Sequence, residues 1–414
     1  MQKTAAPLLI GISHMTESVF TNLRLQDGRH VDVFCSGGRI SAIRPAARME
    51  LMRTSSVDCC GQLLLPAFIE PHVHIDKTLW SLPWHPSTAG PAIPDYIANE
   101  RRLLKGLDSP ISVRSAKLLE KCIALGSLRI RSHIDVAPDI GLSHVEAMMA
   151  LRDRYKDLCD LDFVAFPQTG ILSSPGTLEL MEEALKLGVE TVGGIDPAGI
   201  DGDPIEHLRT VFSLADRYGC GVDIHLHDPG ELGLWQVDRI ADFTVANGLQ
   251  GRVMISHAYC LGMADERRIA STVSRLASLN ISIMTAVPIE PGAPPVSFLR
   301  AEGVNVCCGS DGIRDSWSPA GNGDMLERAF LLAFRFDWAR DSEFETALDC
   351  ATYAGAKALG VSDYGLKQGS RADFLFLPAE NIGDALCIRP RERTVVRGGH
   401  IIAENGRLKS SRLG

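Results

Sequence analysis

The chain has 414 residues, of which 45% are hydrophobic and 22% are charged, and its formal net charge is −9. This composition is typical of a globular protein with a large core, and the acidic balance argues against binding to nucleic acid or to an anionic membrane surface. No window approaches the roughly 18 unbroken apolar residues that a membrane-spanning helix needs.

The N-terminus and the cysteines indicate where the protein resides. An apolar run over residues 5–12 is short and is interrupted by Pro7 and Gly11. No convincing cleavage site of small residues follows it, so we expect no signal peptide. The eleven cysteines show no Cys-x-x-Cys spacing, and several lie in apolar runs. We therefore expect reduced, buried thiols in a cytoplasmic protein.

Short strands joined by glycine-containing turns are predicted at both ends of the chain. They cover residues 18–20, 31–35 and 40–43 near the N-terminus, and residues 372–377, 394–397 and 400–403 near the C-terminus. Turn signals such as Asp27-Gly28 and Gly398-Gly399 separate them. We expect residues 1–62 and 364–414 to form one small β-sandwich-like domain.

Strands and amphipathic helices alternate through the middle of the chain. The predicted strands are residues 63–74, 127–136, 161–168, 190–195, 221–227, 251–257, 280–286 and 303–309. The predicted helices between them are residues 113–125, 144–155, 178–187, 204–218, 232–247 and 265–279. Eight strands with intervening helices are the count of a (β/α)₈ TIM barrel, so the fold class is α/β and residues 63–363 form the barrel.

The first barrel strand ends in His72-Val73-His74. Residues i and i+2 of a strand point to the same side, so both imidazoles can face one point beyond the end of the strand. The carboxyl ends of barrel strands carry the chemistry of this architecture, and imidazole suits zinc or ferrous iron. Chance capping of the strand by two histidines is the alternative.

The other strand ends favour the functional interpretation over chance. A second His-x-His, His225-Leu226-His227, follows the strand at 221–227, His257 ends the strand at 251–257, and Asp311 follows the strand at 303–309. Six imidazole or carboxylate groups thus lie at carboxyl ends of strands, although the chain has only twelve histidines. The sequence therefore predicts a metal site at that face of the barrel.

These motifs resemble the amidohydrolase superfamily, and within it the cytosine deaminase group and the alkylaminotriazine hydrolases. The resemblance runs from about residue 18 to the end, and it is carried by residues 72–77, 166–170, 223–228, 309–317 and 321–325. It implies that His72, His74, His225 and Asp311 bind the metal. It also implies that His257 acts on the attacked centre, that Gln168 binds a ring edge, and that Asp315 and Trp317 wall the substrate pocket.

Two positions depart from the cytosine deaminase pattern. Asp228 stands where those enzymes carry a proton-shuttling glutamate, and His227 precedes it, an arrangement similar to that of the alkylaminotriazine hydrolases. We expect His227 to be catalytic and Asp228 to contact substrate. The strand at 190–195 lacks the lysine that bridges two metals in binuclear relatives, so we expect one divalent ion per chain, Zn²⁺ or Fe²⁺.

The resemblance implies a metal-dependent aminohydrolase that replaces an amino or alkylamino group on a pyrimidine- or triazine-like ring with oxygen, using hydroxide formed on the metal. Asp311 would accept the proton of the water, and His227 or His257 would protonate the leaving nitrogen. One alternative is a cyclic amide hydrolase that opens a ring C–N bond, and another is a catalytically silent barrel. We expect a small heterocyclic substrate, no nucleic-acid or membrane partner, and a homo-oligomer.

Overall fold

The computed structural model describes residues 17–46, 56–90, 92–289 and 292–413. Its strands are, in chain order, β1 (Glu17–Arg24), β2 (His30–Ser36), β3 (Arg39–Pro45), β4 (Ser56–Asp58), β5 (Leu63–Pro66), β6 (Phe68–Val73), β7 (Ser127–Asp135), β8 (Asp160–Phe166), β9 (Thr191–Ile195), β10 (Gly221–Leu226), β11 (Val253–His257), β12 (Ser282–Thr285), β13 (Val306–Cys308), β14 (Phe374–Leu377), β15 (Thr394–Arg397), β16 (His400–Glu404) and β17 (Arg407–Leu408).

Helices lie between most of these strands, and a short 3₁₀ helix (Ile75–Lys77) follows β6. The α-helices are α1 (Ile93–Lys105), α2 (Ile111–Ala124), α3 (Ser143–Tyr155), α4 (Thr177–Lys186), α5 (Pro204–Tyr218), α6 (Gly230–Ala246), α7 (Tyr259–Gly262), α8 (Glu266–Ser278), α9 (Val296–Ala301), α10 (Met325–Arg335), α11 (Asp341–Cys350), α12 (Tyr353–Ala358) and α13 (Ile382–Ile388). None of them, within the described part of the chain, has the length and apolar character required to cross a bilayer.

Strands β6 to β13 pair in chain order, and every pair is parallel. Just beyond β13, Asp311 forms a parallel bridge with Val73 of β6. The Asp311 amide donates to the carbonyl of His72 at 2.9 Å, and the His74 amide donates to the carbonyl of Asp311 at 3.3 Å. The strands therefore form a near-closed barrel, and the predicted (β/α)₈ fold is confirmed.

The helices follow the local signals of the sequence, as α5 illustrates. Asp203 accepts a hydrogen bond from the Glu206 amide at 3.0 Å, and Pro204 occupies the first turn, where its missing N–H costs nothing. Gly219 ends the helix with φ = 65°, a left-handed conformation that favours glycine. The buried face of the helix carries Leu208, Val211, Phe212 and Ala215, which pack in the main core.

Strands from both ends of the chain form a second, mixed sheet, as predicted. Its order is β17-β16-β15-β14-β5-β1-β2-β3, and β4 pairs with β1. The sheet has its own apolar core, in which the ring of Phe20 meets that of Phe374 edge to face at a centroid distance of 5.1 Å. The exact domain boundaries, 62/63 and 363/364, stay predictions.

One predicted strand, residues 63–74, is in fact two strands. Leu63–Pro66 forms β5, which pairs with β14 of the mixed sheet, and Phe68–Val73 forms β6 of the barrel. Both strands are fully buried. A continuous apolar run therefore gave no indication that the chain passes from one sheet to the other.

Helix α1 lies outside the elements predicted from the sequence, because its apolar residues are few and half-buried. The apolar run at 5–12 and the first residues of the predicted small domain lie outside the described residues. All eleven cysteines are free thiols, and nine of them are buried.

Candidate metal centre and substrate cavity

Three imidazoles and one carboxylate converge at the carboxyl ends of the barrel strands. They belong to His72, His74, His225 and Asp311, and their ligand atoms lie within 4.8 Å of one another. The Oδ1 atom of Asp311 is 3.3 Å from Nε2 of His74 and 3.6 Å from Nε2 of His72. Nε2 of His225 is 3.3 Å from Nε2 of His74. The spacing of two thus brings His72 and His74 to the same side, where His225 and Asp311 from two other strand ends meet them.

The backbone around Asp311 is shaped for this convergence. A Cβ atom on Gly309 would lie 2.9 Å from Cβ of His72, so glycine permits the close approach. Asp311 itself has φ = 59°, an unfavourable conformation for a non-glycine residue. The buried Glu70 carboxylate accepts from the amides of His72 at 3.2 Å and Ser310 at 3.0 Å. The loop is therefore held in a strained conformation that directs the carboxylate at the histidines.

The donor set fits a divalent cation. Nε2 of His72 is buried and has no hydrogen-bond partner, and Nε2 atoms of His74 and His225 face each other. Burial, reinforced by the neighbouring imidazoles, holds the pKa of His225 well below its usual value, so the ring is neutral. Neutral imidazoles and a carboxylate are the protonation states that a metal requires. A cation among these atoms would satisfy groups that the protein leaves without partners.

A cavity of about 390 Å³ opens beside this cluster. Its walls combine the convergent polar groups with apolar and aromatic faces, which suits a small planar ligand. The lining residues are His74, Lys77, Phe166, Gln168, Ile195, His225, His227, His257, Asp311, Gly312, Asp315 and Trp317. Every predicted site residue except His72 and Asp228 is among them. His72 lies beneath the cavity, fully buried.

Two neighbouring histidines in the cavity have opposed pKa shifts. Nδ1 of His227 is 2.7 Å from Oδ2 of Asp196. Burial opposes a charge on His227, but the Asp196 carboxylate outweighs it and raises the pKa of His227. Burial and the adjacent His227 hold the pKa of His257 well below its usual value. The ring centroids are 4.5 Å apart, so two imidazoles with oppositely shifted pKa values lie side by side. Such a divergence is typical of an acid–base pair.

Gln168 is held by two protein groups. Its Nε2 atom donates to Oε1 of Glu100 at 2.7 Å, and its Oε1 atom accepts from the Lys77 ammonium. Burial opposes the charge on Lys77, but the carboxylates of Glu100 and Asp135 outweigh it and raise the pKa of Lys77. Gln168 therefore lines the cavity with both ends of its amide engaged, and Lys77 adds a buried cation beside it.

Asp228 lies away from the cavity. Its Oδ2 atom accepts from the Gly199 amide at 3.0 Å and from Nε2 of Gln236 at 2.9 Å. A Cβ atom on Gly199 would come within 2.5 Å of Oδ1 of Asp228, so the carboxylate is closely packed. Its neighbour His227 faces the cavity instead. The structure thus brings His227 to the site and places Asp228 behind it.

Asp315 and Trp317 form the outer wall. The Asp315 carboxylate accepts from the amides of Trp317 at 2.9 Å and Ser318 at 2.6 Å, and burial raises the pKa of Asp315 to about 7. The Trp317 ring stacks on Tyr96 of α1, with centroids 5.1 Å apart. Helix α1 therefore supports the outer wall of the cavity through Tyr96.

Several residues that hold the site together had no site role among the sequence-based predictions. Glu100 and Tyr96 lie on α1, which was not among the predicted helices. Asp196 ends a predicted strand, so its position at a carboxyl strand end was a usable signal. Lys77 lies in the stretch at residues 72–77 that carries the resemblance, but the resemblance implied no site role for it. His133 on β7 is also fully buried, with its ring centroid 4.0 Å from that of His72.

A model of the amidohydrolase family matches residues 123–403, which is more than half of the chain. The chain belongs to the amidohydrolase family. It is 30% identical to N-isopropylammelide isopropyl amidohydrolase of Pseudomonas sp. (strain ADP), over 90% of this chain and 94% of that protein. With the buried histidine–aspartate cluster, these findings make it a metal-dependent hydrolase of C–N bonds.

Two solved structures support the assignment to this family. The crystal structure of N-isopropylammelide isopropylaminohydrolase from Burkholderia multivorans matches with a TM-score of 0.90 and 38% identity, covering 95% of this chain and 100% of that one. The structure of 5-methylcytosine deaminase from Klebsiella pneumoniae, liganded with 5-fluorocytosine, matches with a TM-score of 0.82 and 28% identity, covering 93% and 97%. The resemblance predicted from the histidine motifs is therefore confirmed.

Proposed function

We propose that the protein is a mononuclear aminohydrolase that removes an amino or alkylamino group from an oxo-substituted pyrimidine- or triazine-like ring. The observation that carries this proposal is the cavity itself. The histidine–aspartate cluster, the imidazoles of His227 and His257 and the Lys77 ammonium surround a space of about 390 Å³. Relatives named for isopropylammelide and 5-methylcytosine support the choice of a six-membered nitrogen heterocycle.

In this proposal His72, His74, His225 and Asp311 hold one divalent ion, Zn²⁺ or Fe²⁺. When bound, the ion lowers the pKa of a water molecule and so supplies a nucleophile near neutral pH. Strand β9 supports a single ion, because Gly193 and Gly194 occupy the stretch where binuclear relatives present a lysine. A Cβ atom on Gly194 would come within 2.7 Å of Nε2 of His207, which leaves no room for a longer side chain. This disfavours the binuclear form of the alternative, cyclic amide hydrolysis.

The leaving nitrogen must be protonated, because an amide anion is too basic to depart. His227 is suited to supply this proton, since its Nδ1 atom is bound to Asp196 and Nε2 is the ring nitrogen left to serve the cavity. Its raised pKa favours the protonated ring that a general acid requires. His257, held neutral, can accept a hydrogen bond or a proton from the attacked centre. Asp311, with a second carboxylate oxygen, can accept a proton from the attacking water.

The ring edge is bound, in this proposal, by Lys77 rather than directly by Gln168. Both ends of the Gln168 amide already have protein partners, whereas the ammonium has three protons and also lines the cavity. A buried cation favours a ring oxygen that carries negative charge, as in an oxo-substituted, acidic heterocycle. Phe166 and Trp317 offer flat apolar faces to such a ring.

The proposal is tested with metal-reconstituted protein and a panel of aminopyrimidines, aminotriazines, pterins and cyclic ureas. We expect release of ammonia or an amine from oxo-substituted members. Product mass separates the alternatives, because deamination adds water and loses an amine whereas ring opening only adds water. A product that gains water without losing an amine would favour cyclic amide hydrolysis instead. A cytoplasmic, homo-oligomeric protein remains part of the proposal, and light scattering measures the assembly.

A further inference from the structure

We propose that Ser256 and Asp223 form a buried relay that fixes the tautomer of His72 and thereby sets the affinity of the metal centre. Neither residue contacts the cavity, so both act as positioning residues. The inference rests on the proposed assignment of His72 as a metal ligand.

The relay joins β6 to two neighbouring strands, β10 and β11, across the interior of the barrel. Ser256 lies on β11 and is paired with His225 of β10, while Asp223 lies two residues earlier on β10. The Oγ atom of Ser256 is 2.9 Å from Nδ1 of His72 and 2.7 Å from Oδ1 of Asp223. All three side chains are fully buried. Water therefore cannot substitute for either hydrogen bond.

The direction of the protons follows from the chemistry of the three groups. An ionised carboxylate only accepts hydrogen bonds, so the Ser256 hydroxyl must donate to Asp223. A hydroxyl has one proton, and its oxygen is then left as an acceptor towards His72. Nδ1 of His72 must therefore carry the ring proton. Nε2, which is buried without a partner 3.6 Å from Oδ1 of Asp311, keeps its lone pair free for the metal.

Burial of the Asp223 carboxylate is energetically unfavourable, which indicates that this residue does more than fill space in the core. A buried carboxylate is expensive to desolvate, and an apolar residue of similar size is often neutral or more stable at such a position. The second oxygen of Asp223 lies 3.3 Å from Nε2 of His133 and 3.9 Å from a guanidinium nitrogen of Arg131. It has no hydrogen-bond partner. The strong contact of Asp223 is the one with Ser256.

A competing interpretation makes His72, His133 and Asp223 a second metal site, since their ligand atoms also lie within 4.8 Å of one another. The relay accounts better for the contacts, because Nδ1 of His72 is already occupied by Ser256. The two interpretations predict different metal stoichiometries, so one experiment separates them.

The experiment titrates metal-free protein with Zn²⁺ against a chromophoric chelator and records the Tm of the same metal-free samples. Ser256→Ala removes the acceptor of the His72 proton. Asp223→Asn keeps the shape but adds a donor, so the Ser256 hydroxyl can turn and donate to Nδ1, which moves the ring proton to Nε2. Partners of metal-binding histidines typically contribute 10- to 100-fold in affinity, and we expect a loss of about that size in both variants.

Ser282→Ala is the matched control. Ser282 is a buried serine on the adjacent strand β12, and its Oγ atom accepts from Nδ2 of Asn305 at 3.1 Å, away from the cluster. We expect Ser282→Ala to leave the Zn²⁺ affinity unchanged while lowering the Tm about as much as Ser256→Ala does. Histidine-labelled, metal-free protein adds a direct readout, because long-range proton–nitrogen NMR spectra distinguish the two tautomers. The His72 signals, assigned by their loss in His72→Gln, should show the Nδ1–H form in wild type and the Nε2–H form in Asp223→Asn.

Unchanged Zn²⁺ affinity in both folded variants would overturn the relay, and so would an Nε2–H tautomer in the wild type. If Ser256→Ala fails to fold, Asp223→Asn decides alone. Two Zn²⁺ per wild-type chain, one of them lost in Asp223→Asn, would establish the second metal site instead. Wild-type protein that binds no Zn²⁺ would refute the proposed metal centre and the relay with it, whereas intact Zn²⁺ binding without heterocycle hydrolysis would refute only the proposed reaction.

Discussion

The two ends of the barrel are both rich in charged and polar side chains, but they differ in how these groups are paired. At the amino-terminal end, Asp160 binds Arg371 at 2.6 Å and Arg397 at 2.8 Å. Arg397 also binds Asp373 at 2.6 Å. At the carboxyl-terminal end, Nε2 atoms of His72 and His257 are buried without partners, and Nε2 atoms of His74 and His225 face each other.

The paired groups at the amino-terminal end stabilise the fold. The unpaired nitrogens at the carboxyl-terminal end are instead suited to bind a ligand. Buried polar atoms in proteins are almost always paired, so an unpaired cluster needs an explanation. At the amino-terminal end the pairs join the barrel to the mixed sheet, because Asp160 begins β8 and Arg397 ends β15. At the other end, a bound ion and a substrate would provide the missing partners. Substitutions should accordingly affect stability at one end and activity at the other.

The largest expected effect is the loss of all activity in His72→Ala or Asp311→Ala. Each removes one of four convergent ligand atoms, while the large apolar core of the barrel remains in place. We expect metal content and turnover to fall below detection and the Tm of the metal-free protein to change little. Unchanged turnover in either variant would overturn the assignment of the ligands.

His227→Asn should reduce turnover by about 10²- to 10⁴-fold, the usual contribution of a general acid. Metal content should survive, because His225 and not His227 belongs to the cluster. Asp228→Asn is the control: its carboxylate binds Gly199 and Gln236 outside the cavity, so we expect a much smaller loss. If Asp228→Asn abolished turnover and His227→Asn barely slowed it, protons would be delivered as in the cytosine deaminase pattern.

Arg397→Ala tests the opposite end of the barrel. Removing one partner of a buried ion pair typically costs about 3–5 kcal/mol, because the remaining charges stay buried, and Arg397 serves both Asp160 and Asp373. We expect a loss of about 3 kcal/mol in the free energy of unfolding with unchanged Zn²⁺ affinity. Arg29→Ala, which breaks an exposed pair with Asp27, should cause no measurable loss. A weakened metal site in Arg397→Ala would contradict the division between the two ends.

Asp315→Asn should give the smallest effect, a pH-dependent gain in stability of the metal-free protein. The folded state raises the pKa of Asp315 from 3.8 to about 7, so it binds the proton more tightly than the unfolded chain does. The wild type is therefore fully stabilised by this group below about pH 4 and loses that stability as pH rises through about 7. Asparagine can still accept from the amides of Trp317 and Ser318 without a charge.

Unfolding curves at several pH values measure the effect of Asp315→Asn. We expect the variant to match the wild type at pH 4 and to be the more stable of the two at pH 8. A constant difference across this range would mean that Asp315 does not titrate in the cavity.

The barrel and its ligand cluster were predictable because each depends on local periodicity. His72 and His74, like Asp311 after β13, sit at the ends of apolar runs whose parallel pairing makes their carboxyl ends adjacent. The division of residues 63–74 between two sheets was not predictable, because β5 and β6 are equally buried. A period of two cannot reveal which sheet a strand joins.

The second layer of the site depends on contacts between residues far apart in the sequence. Glu100 holds Gln168 across 68 positions, and Ser256 meets His72 across 184. The sequence also could not predict that His227 faces the cavity and Asp228 does not. These directions depend on Asp196, which binds His227, and on Gln236, which binds Asp228. Only the folded chain reveals these partners.

Metal stoichiometry tests the central claim most directly. Purified protein, supplemented with Zn²⁺ or Fe²⁺ and freed of loosely bound ions, is analysed for metal per chain beside His225→Ala. The unpartnered cluster of three histidines and one aspartate predicts one equivalent in the wild type and none in the variant. Two equivalents in the wild type, or none after supplementation, would contradict the account.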